Sequence, residues 1–150
     1  MPKDPNVSFS KLVDDVFNSV IHDYHLNCRE ENTRLLIASK EELELVFRLE
    51  AIPLFYYFSL ELKLSGNLAE QATSDTYYRG RGLGVSAIAQ CLDINYKPSI
   101  KGAQTESELR ELLETGRDEL LKYCKDILLG DVSSWQVVVE CLKKKREKKD

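Results

Sequence analysis

The apolar period of the chain changes near its middle, and this change constrains the fold more than any other feature. Apolar and charged residues alternate from Leu43 to Leu49, and the alternation restarts beyond Pro53 and continues to Leu64. A period of two gives a strand one buried and one solvent-facing side. Together with the apolar run in residues 33–38, it predicts three sequential strands with short links, which is an antiparallel meander of at least three strands.

Two connections of this sheet are less clearly defined by the sequence. The residues Ala51, Ile52 and Pro53 lack the Asn-Gly or Asp-Gly pair of a tight hairpin, so the pattern allows either a turn or a bend in one long strand. Residues 25–32 have no clear period and predict a loop or a weak strand. The polar residues 65–76 predict a loop after the last strand.

Helical periodicity lies on both sides of the strands. Before them, apolar residues recur at steps of three and four and predict a helix over residues 8–24, with Ser8 as its N-cap. After them, a period of about 3.6 residues returns at Leu83 and predicts a short helix to about residue 93.

The clearest helix signal is the capping box that Thr105 and Glu108 form. It predicts one long helix that Gly130 closes in a left-handed conformation. Ser133 or Ser134 is then expected to cap a last helix, which ends in basic residues.

Strands that are segregated from helices are typical of the α+β class. The sequence therefore predicts an N-terminal helix, an antiparallel meander, and C-terminal helices packed on one face of the sheet. The 150 residues are expected to form a single domain, with a frayed basic tail at about residues 143–150.

Charge is distributed unevenly along the chain. The formal net charge is −4, but the tail from Lys143 to Asp150 holds six basic and two acidic residues, so residues 1–142 carry −8. An acidic body repels nucleic acid and attracts basic proteins. We therefore expect a non-enzymatic protein-binding module without catalytic residues or a resident cofactor, whose oligomeric state the sequence does not specify.

The strands offer the residues for such an interface. Acidic side chains and alternate aromatic residues on the polar side of the predicted sheet form the expected partner-binding surface: Glu42, Glu44, Glu50, Phe55, Tyr57 and Glu61. Electrostatic attraction between such a surface and a basic protein would accelerate association.

The four cysteines are scattered, without a Cys-x-x-Cys pair. Cys28, Cys91, Cys124 and Cys141 are therefore interpreted as reduced, buried thiols. The spacing of His22, His25 and Cys28 does not predict a zinc site, because the cysteine lies beyond the expected helix end.

Neither end of the chain carries a targeting or membrane-spanning signal. The residues Met1 to Asn6 contain no hydrophobic stretch of the signal-peptide type. No apolar run reaches the roughly 18 residues that a transmembrane helix needs. These observations predict a cytoplasmic protein that does not enter a membrane.

The segment Arg79-Gly80-Arg81-Gly82-Leu83-Gly84 resembles the Arg/Gln-x-x-Gly-x-Gly/Ala motif of the GCN5-related N-acetyltransferases. In that family, backbone amides and a helix N-terminus hold the pyrophosphate of acetyl-coenzyme A. The resemblance implies an alternative function, acetyl transfer, in which an anion or cofactor site binds acetyl-coenzyme A through Arg79, Gly80, Arg81, Gly82 and Gly84. The preceding residues, 70–76, are polar, whereas the family has an apolar strand there. Together with the helical residues that follow, this polarity favours a joint between sheet and helix over a phosphate site.

A second resemblance covers more of the chain. The order of elements, and above all the residues from Leu120 to Trp135, are similar to small uncharacterised bacterial α+β proteins. Many of those proteins look like immunity proteins, which neutralise a toxin by binding it. The resemblance implies an immunity-like or regulatory role with a basic protein as partner.

Overall fold

A computed structural model describes residues 8–98 and 101–149. The expectations for Met1 to Asn6 and for Asp150 lie outside the described residues. The fold is α+β, as predicted: an N-terminal helix, a five-stranded antiparallel meander of order β1-β2-β3-β4-β5, and C-terminal helices against the sheet. The elements are α1 (Phe9–Asp23), β1 (Asn27–Asn32), β2 (Leu35–Lys40), β3 (Leu43–Ile52), β4 (Phe55–Leu64), α2 (Gly66–Ala72), β5 (Leu83–Gly84), α3 (Val85–Leu92), α4 (Glu106–Tyr123), α5 (Lys125–Leu128) and α6 (Ser133–Lys149).

The link through Ala51, Ile52 and Pro53 is part of a hairpin rather than a bend. Ile52 pairs with Phe55, so the loop consists of Pro53 and Leu54 alone. Proline supplies the fixed φ of the first turn position, while Leu54 takes the second with a φ of 84°. A type II turn requires a positive φ there, which glycine normally provides. The absence of a glycine is why the sequence left this turn undecided.

One face of the sheet packs against α1 and α4. Phe17 of α1 meets Phe47 of β3 with ring centroids 4.8 Å apart, and both side chains are fully buried. A Cβ atom added at Gly116 of α4 would lie 2.9 Å from the ring of Phe58. The glycine therefore lets this helix approach β4 closely, and the core lies between helices and sheet.

The helix α2 replaces the loop predicted for residues 65–76. Its first turn has a cap from a distant part of the chain, because the Glu42 carboxylate accepts hydrogen bonds from the N–H groups of Asn67 (2.8 Å) and Leu68 (3.2 Å). An acidic side chain at a helix N-terminus satisfies free donors and complements the helix dipole. The polar composition of the segment concealed this helix, since its cap comes from the turn between β2 and β3.

The two predicted N-caps of α1 and α4 are confirmed. The Ser8 hydroxyl accepts from Lys11 N–H (3.2 Å). In the capping box, the Thr105 hydroxyl accepts from Glu108 N–H (3.1 Å), and the Glu108 carboxylate accepts from Gln104 N–H (3.2 Å).

The long helix predicted to end at Gly130 is divided at Cys124. It forms α4 and the short α5, and Gly130 follows them with a φ of 92°. The last helix already includes Ser133 and Ser134, so neither is its cap in the predicted sense; instead the Asp131 carboxylate accepts from Ser133 N–H (3.0 Å). An aspartate at this place provides the same capping oxygen as a serine.

The prediction of four reduced, buried cysteines is wrong for three of them. Cys91 of α3 and Cys141 of α6 form a disulfide, and Cys28 is an exposed free thiol. Only Cys124 is both free and buried, and burial raises the pKa of its thiol to about 12. Helical periodicity shows that a cysteine lies on the apolar side of its helix, but it does not show which other helix packs against that side. The pairing of Cys91 with Cys141 could therefore not be predicted from the sequence.

Two further observations concern membranes and metals. Among residues 8–98 and 101–149, no helix is both long and apolar enough to cross a membrane. Within the same ranges, no three His, Cys, Asp or Glu side chains are arranged to hold a metal ion.

Candidate functional site

The outer face of the sheet, opposite the helices, has a balanced rather than an acidic charge pattern. Glu44 lies opposite Lys63 across β3 and β4, and the carboxylate is 3.5 Å from the Arg29 guanidinium. Arg48 and Glu61 approach to 3.8 Å. Pairs of opposite charge side by side cancel most of their field at a distance. The glutamates of this face are therefore not one continuous acidic surface.

The other residues of the predicted partner-binding surface do not lie in one common environment. Glu42 caps α2, whereas Glu50 is fully exposed next to Tyr57 on the neighbouring strand. The rings of Phe55 and Tyr57 are 6.3 Å apart and half-buried. A Cβ atom added at Gly102 would lie 2.7 Å from Phe55, so this ring is already covered by the chain before α4.

The glycine-arginine segment does not present a row of free amides. The N–H groups of Arg79 and Arg81 donate to the carbonyls of Asp75 (3.0 Å) and Tyr78 (3.2 Å). Leu83 and Gly84 form β5 and pair with β4. The N–H groups of Arg79 and Arg81 are therefore hydrogen-bonded inside the protein and are not free to bind an anion, so the segment connects sheet and helix.

Glu61 also occupies the space that an anion would need beside Gly82. A Cβ atom added at this glycine would collide with the Glu61 carboxylate. A negative side chain at this distance repels phosphate. Gly80, with a φ of 80°, faces open space. Gly82 therefore lies against an acidic side chain, whereas Gly80 faces solvent.

A groove along the edge of β4 that faces α3 and α4 is a better-formed candidate site than the glycine-arginine segment. It has a volume of about 510 Å³ and lies between the edge of β4, the start of α3, Tyr96, Lys101 and one side of α4. We call it the acidic groove. Along this edge, β4 pairs with Ala103 at Tyr56 and with β5 from Glu61 onwards. Within the described residues, no strand pairs with positions 57–60 on that side, so the groove follows an uncovered strand edge.

The helix α4 gives the acidic groove its charge. One stripe of this helix lines it with Glu108, Glu111, Thr115 and Glu119. Residues at steps of three and four share one side of a helix, and the spacing of these residues follows that rule. Among the described lining residues, Lys101 is the one basic side chain. The groove therefore has an excess of negative charge.

The carboxylates of the acidic groove differ in whether they already accept hydrogen bonds from other groups of the protein. Glu108 accepts the hydrogen bonds of the capping box. Glu119 accepts a short hydrogen bond from the Tyr96 hydroxyl. Burial and this bond to a carboxylate raise the pKa of Tyr96 to about 12, so the hydroxyl remains a donor at neutral pH. Glu111 is exposed and makes no side-chain hydrogen bond or ion pair within the described part of the chain.

A second tyrosine supports the position of Tyr96. Tyr123 packs against it edge to face, with ring centroids 5.7 Å apart. The Tyr123 hydroxyl donates to the Asp93 carboxylate (2.6 Å). This hydrogen bond lowers the pKa of Asp93 and raises that of Tyr123. The two bonds fasten the segment between α3 and α4 onto α4, and so fix one wall of the groove.

Comparison with known proteins identifies no relative: no family model, no curated protein and no solved structure matches the chain.

Sequence reasoning missed the acidic groove, although one signal was present. The stripe from Glu108 to Glu119 is polar over three helical turns, and it lies beside the apolar stripe of the same helix. Such a stripe is normally only the solvent-facing side. That it lines a groove depends on the position of β4 and of the segment that carries Tyr96, which periodicity does not specify.

Proposed function

We propose that the protein is a non-enzymatic binding module for a basic protein, with an immunity-like or regulatory role. The observation that carries the proposal is the excess of carboxylates over ammonium groups along the acidic groove. Relative to the sequence-based hypothesis, the proposal moves the contact with the partner from the outer face of the sheet to this groove. Glu111 is the side chain that a lysine or arginine of the partner would meet first.

The shape of the groove supports an elongated ligand. Antiparallel pairing directs the main-chain groups of alternate β4 residues towards β3 and those of the others towards the groove. Tyr56 exchanges two hydrogen bonds of 2.8 Å with Ala103, so Phe58, two positions further, directs its main-chain groups to the same side. A basic segment in the groove would find both carboxylates and main-chain groups. Pairing of this kind gives affinity, and the charges give specificity.

The hydroxyl groups of the groove have no histidine beside them within the described lining. The described hydroxyl-bearing residues include Ser59, Ser86 and Thr115, and no histidine is among the described lining residues. A hydroxyl nucleophile needs an adjacent base.

The test uses a fluorescent twelve-residue peptide of alternating lysine and serine as a probe of basic ligands. Glu111→Lys reverses a charge in the groove, and Glu50→Lys makes the same change at an exposed position of the outer face. We expect anisotropy titrations to show at least tenfold weaker binding for the first variant, which is about 1.4 kcal/mol, and less than a threefold effect for the second. A larger effect of Glu50→Lys, or equal effects, would contradict the proposal.

A titration with acetyl-coenzyme A separates this proposal from acetyl transfer. Because the Glu61 carboxylate lies beside Gly82, we expect any heat or thermal stabilisation by this ligand to be the same in Gly82→Asp as in the unaltered protein. Stabilisation by acetyl-coenzyme A that is lost in Gly82→Asp would instead support the transferase, and would overturn the binding proposal.

A further inference from the structure

Two arginines lie against the ring of one exposed tyrosine. The guanidinium carbon of Arg81 lies 4.0 Å from the ring centroid of Tyr77, and that of Arg146 lies 4.5 Å from the same centroid. The ring is 47% exposed. The two arginines come from the joint before α3 and from the last turns of α6, so only the tertiary structure brings them together.

We propose that Arg81 and Arg146 bind a phosphate group, and that this arginine pair is an anion site separate from the acidic groove. The site differs from the one that the motif resemblance implies. There, backbone amides would hold the anion, whereas here the side chains do so, and one of them lies outside the motif.

Neither guanidinium has a carboxylate partner. Among the ion pairs of residues 8–98 and 101–149, none includes Arg79, Arg81 or Arg146. The nearest acid on the loop, Asp75, is already paired with Lys143 at 3.1 Å. This pairing lowers the pKa of Asp75 and raises that of Lys143, so both stay charged and cancel each other at neutral pH. Within the described residues, neither member of the arginine pair is therefore neutralised by an ion pair.

Both arginines are exposed and keep hydrogen-bond donors that have no partner among the described residues. Within the described residues, the only hydrogen bond of the Arg81 side chain is the one that its Nε donates to the carbonyl of Tyr77 (2.7 Å). Its two terminal nitrogens, and the whole guanidinium of Arg146, therefore have donors to offer. A guanidinium presents several N–H groups in a plane that matches the oxygens of a phosphate.

The distances suit a single phosphate group. Because the guanidinium carbons of Arg81 and Arg146 lie 4.0 Å and 4.5 Å from the same Tyr77 centroid, they are at most about 8.5 Å apart. Charge-assisted hydrogen bonds of about 2.8 Å place a bound phosphorus atom roughly 4 Å from a guanidinium carbon. A single phosphate beside the Tyr77 ring can therefore contact both groups where their carbons are closer than about 8 Å, and a diphosphate can contact both at the full separation.

Both arginines sit on supports that are already fixed. The Asp75 carboxylate accepts from the N–H groups of Tyr77 (2.8 Å) and Tyr78 (3.3 Å), which holds the loop. Tyr78 itself is buried in the core. The helix α6 is joined to α3 by the disulfide that Cys141 forms, five residues before Arg146. Preorganised donors lose little freedom on binding, so they favour affinity for a small anion.

The experiment is a calorimetric titration of the full chain with inorganic phosphate and with pyrophosphate at constant ionic strength. We expect saturable binding that is tighter for pyrophosphate. Arg81→Gln and Arg146→Gln should each weaken binding at least fivefold, and the double variant should abolish it. The control variant, Lys145→Gln, removes one positive charge from the same helix. The Lys145 ammonium donates a hydrogen bond to the Gln90 side chain (3.4 Å), so phosphate binding should change by less than twofold.

Adenosine diphosphate and a phosphoserine peptide identify the source of the phosphate, since binding of either through the arginine pair supports the site. Circular dichroism melts of each variant confirm that the fold is retained. No binding of any of the four ligands at millimolar concentration, or an equal loss in Lys145→Gln, would overturn the proposal. A loss in Glu111→Lys would also contradict it, because that residue belongs to the acidic groove.

Discussion

The two halves of the molecule are held together in different ways. From Phe9 to Leu64, α1 and the meander are joined by short turns, and each strand pairs with the next one in sequence. From Gly66 to Lys149, the helices are held by contacts between residues far apart in the chain: the disulfide, the pair of Lys143 with Asp75, and the bond of Tyr123 to Asp93. We call these parts the sheet half and the helical half.

The comparison shows what local periodicity is able to encode. In the sheet half, alternation decides which side chains of β2, β3 and β4 enter the core, because each of these strands is paired on both sides with its neighbours in sequence order. In the helical half, periodicity decides that helices form, and specific side-chain pairs decide where they lie. Stability of the sheet half should therefore depend on apolar burial, and that of the helical half on cross-links.

The largest expected effect tests burial in the sheet half. Phe47 and Val46 are neighbours on β3, with Phe47 fully buried under α1 and Val46 6% exposed on the outer face. Phe47→Ala should cost about 3–5 kcal/mol of unfolding free energy, because it leaves a cavity in the core. Val46→Ala should cost about 1 kcal/mol. Urea unfolding followed by Trp135 fluorescence measures both, and equal losses would mean that the outer face is packed as tightly as the core.

The second effect tests the cross-link of the helical half. Replacing Cys91 and Cys141 by alanine opens a loop of 50 residues, for which loop-closure entropy predicts a loss of about 4 kcal/mol. Cys28→Ala, at an exposed free thiol, is the control and should change little. Hydrogen exchange should accelerate first in α3 and α6. Faster exchange in β3 instead would contradict the division into two halves.

Capping of α4 should have a smaller effect. Thr105→Ala removes the hydroxyl that accepts from Glu108 N–H and should cost about 1 kcal/mol. Thr115→Ala makes the same substitution at an exposed position within the helix, where alanine has the better propensity, so stability should stay level or rise by about 0.5 kcal/mol. Chemical denaturation distinguishes the two. A loss at Thr115 as large as that at Thr105 would show that this threonine makes a contact of its own.

The smallest effect is a dependence on alkaline pH in the helical half. Tyr96 has an ordinary pKa of 10.0 that burial and Glu119 raise to about 12 in the folded protein. A raised pKa adds stability below the unfolded value, and that part is lost as pH rises from 10 towards about 12. Absorbance of tyrosinate and melting temperature over this range should show it. Tyr96→Phe should melt with a shallower alkaline slope, and an unchanged slope would contradict the assignment to Tyr96.

Much of the fold could be predicted from the sequence because the signals were local. Alternation around Leu45 and Leu62, the cap at Ser8 and the capping box at Thr105 all involve residues within one turn or one strand of each other. The helix α2 could not be predicted, since its capping carboxylate belongs to Glu42 in another element. The division of the long helix at Cys124 likewise has no glycine or proline to mark it.

The candidate sites were less accessible to sequence reasoning. Net charge indicated an acidic body, but the sum does not show that Glu44 and Glu61 lie near arginines while Glu111 faces a groove. The segment around Gly82 has the composition of a phosphate cradle. However, the N–H groups of Arg79 and Arg81 are hydrogen-bonded within the protein, and the Glu61 carboxylate lies beside Gly82. The second arginine of the proposed phosphate site, Arg146, comes from the far end of the chain.

The sequence by itself determined the class of the fold, the order of helix, sheet and helices, and the excess of acidic over basic residues. These follow from the periodicity of side chains and from composition, which each residue carries wherever it lies. Only the tertiary structure decided that Cys91 meets Cys141, that the carboxylates of α4 face the edge of β4, and that Arg81 meets Arg146. Such pairs depend on how separate elements pack, and packing is a property of the whole chain rather than of any one segment.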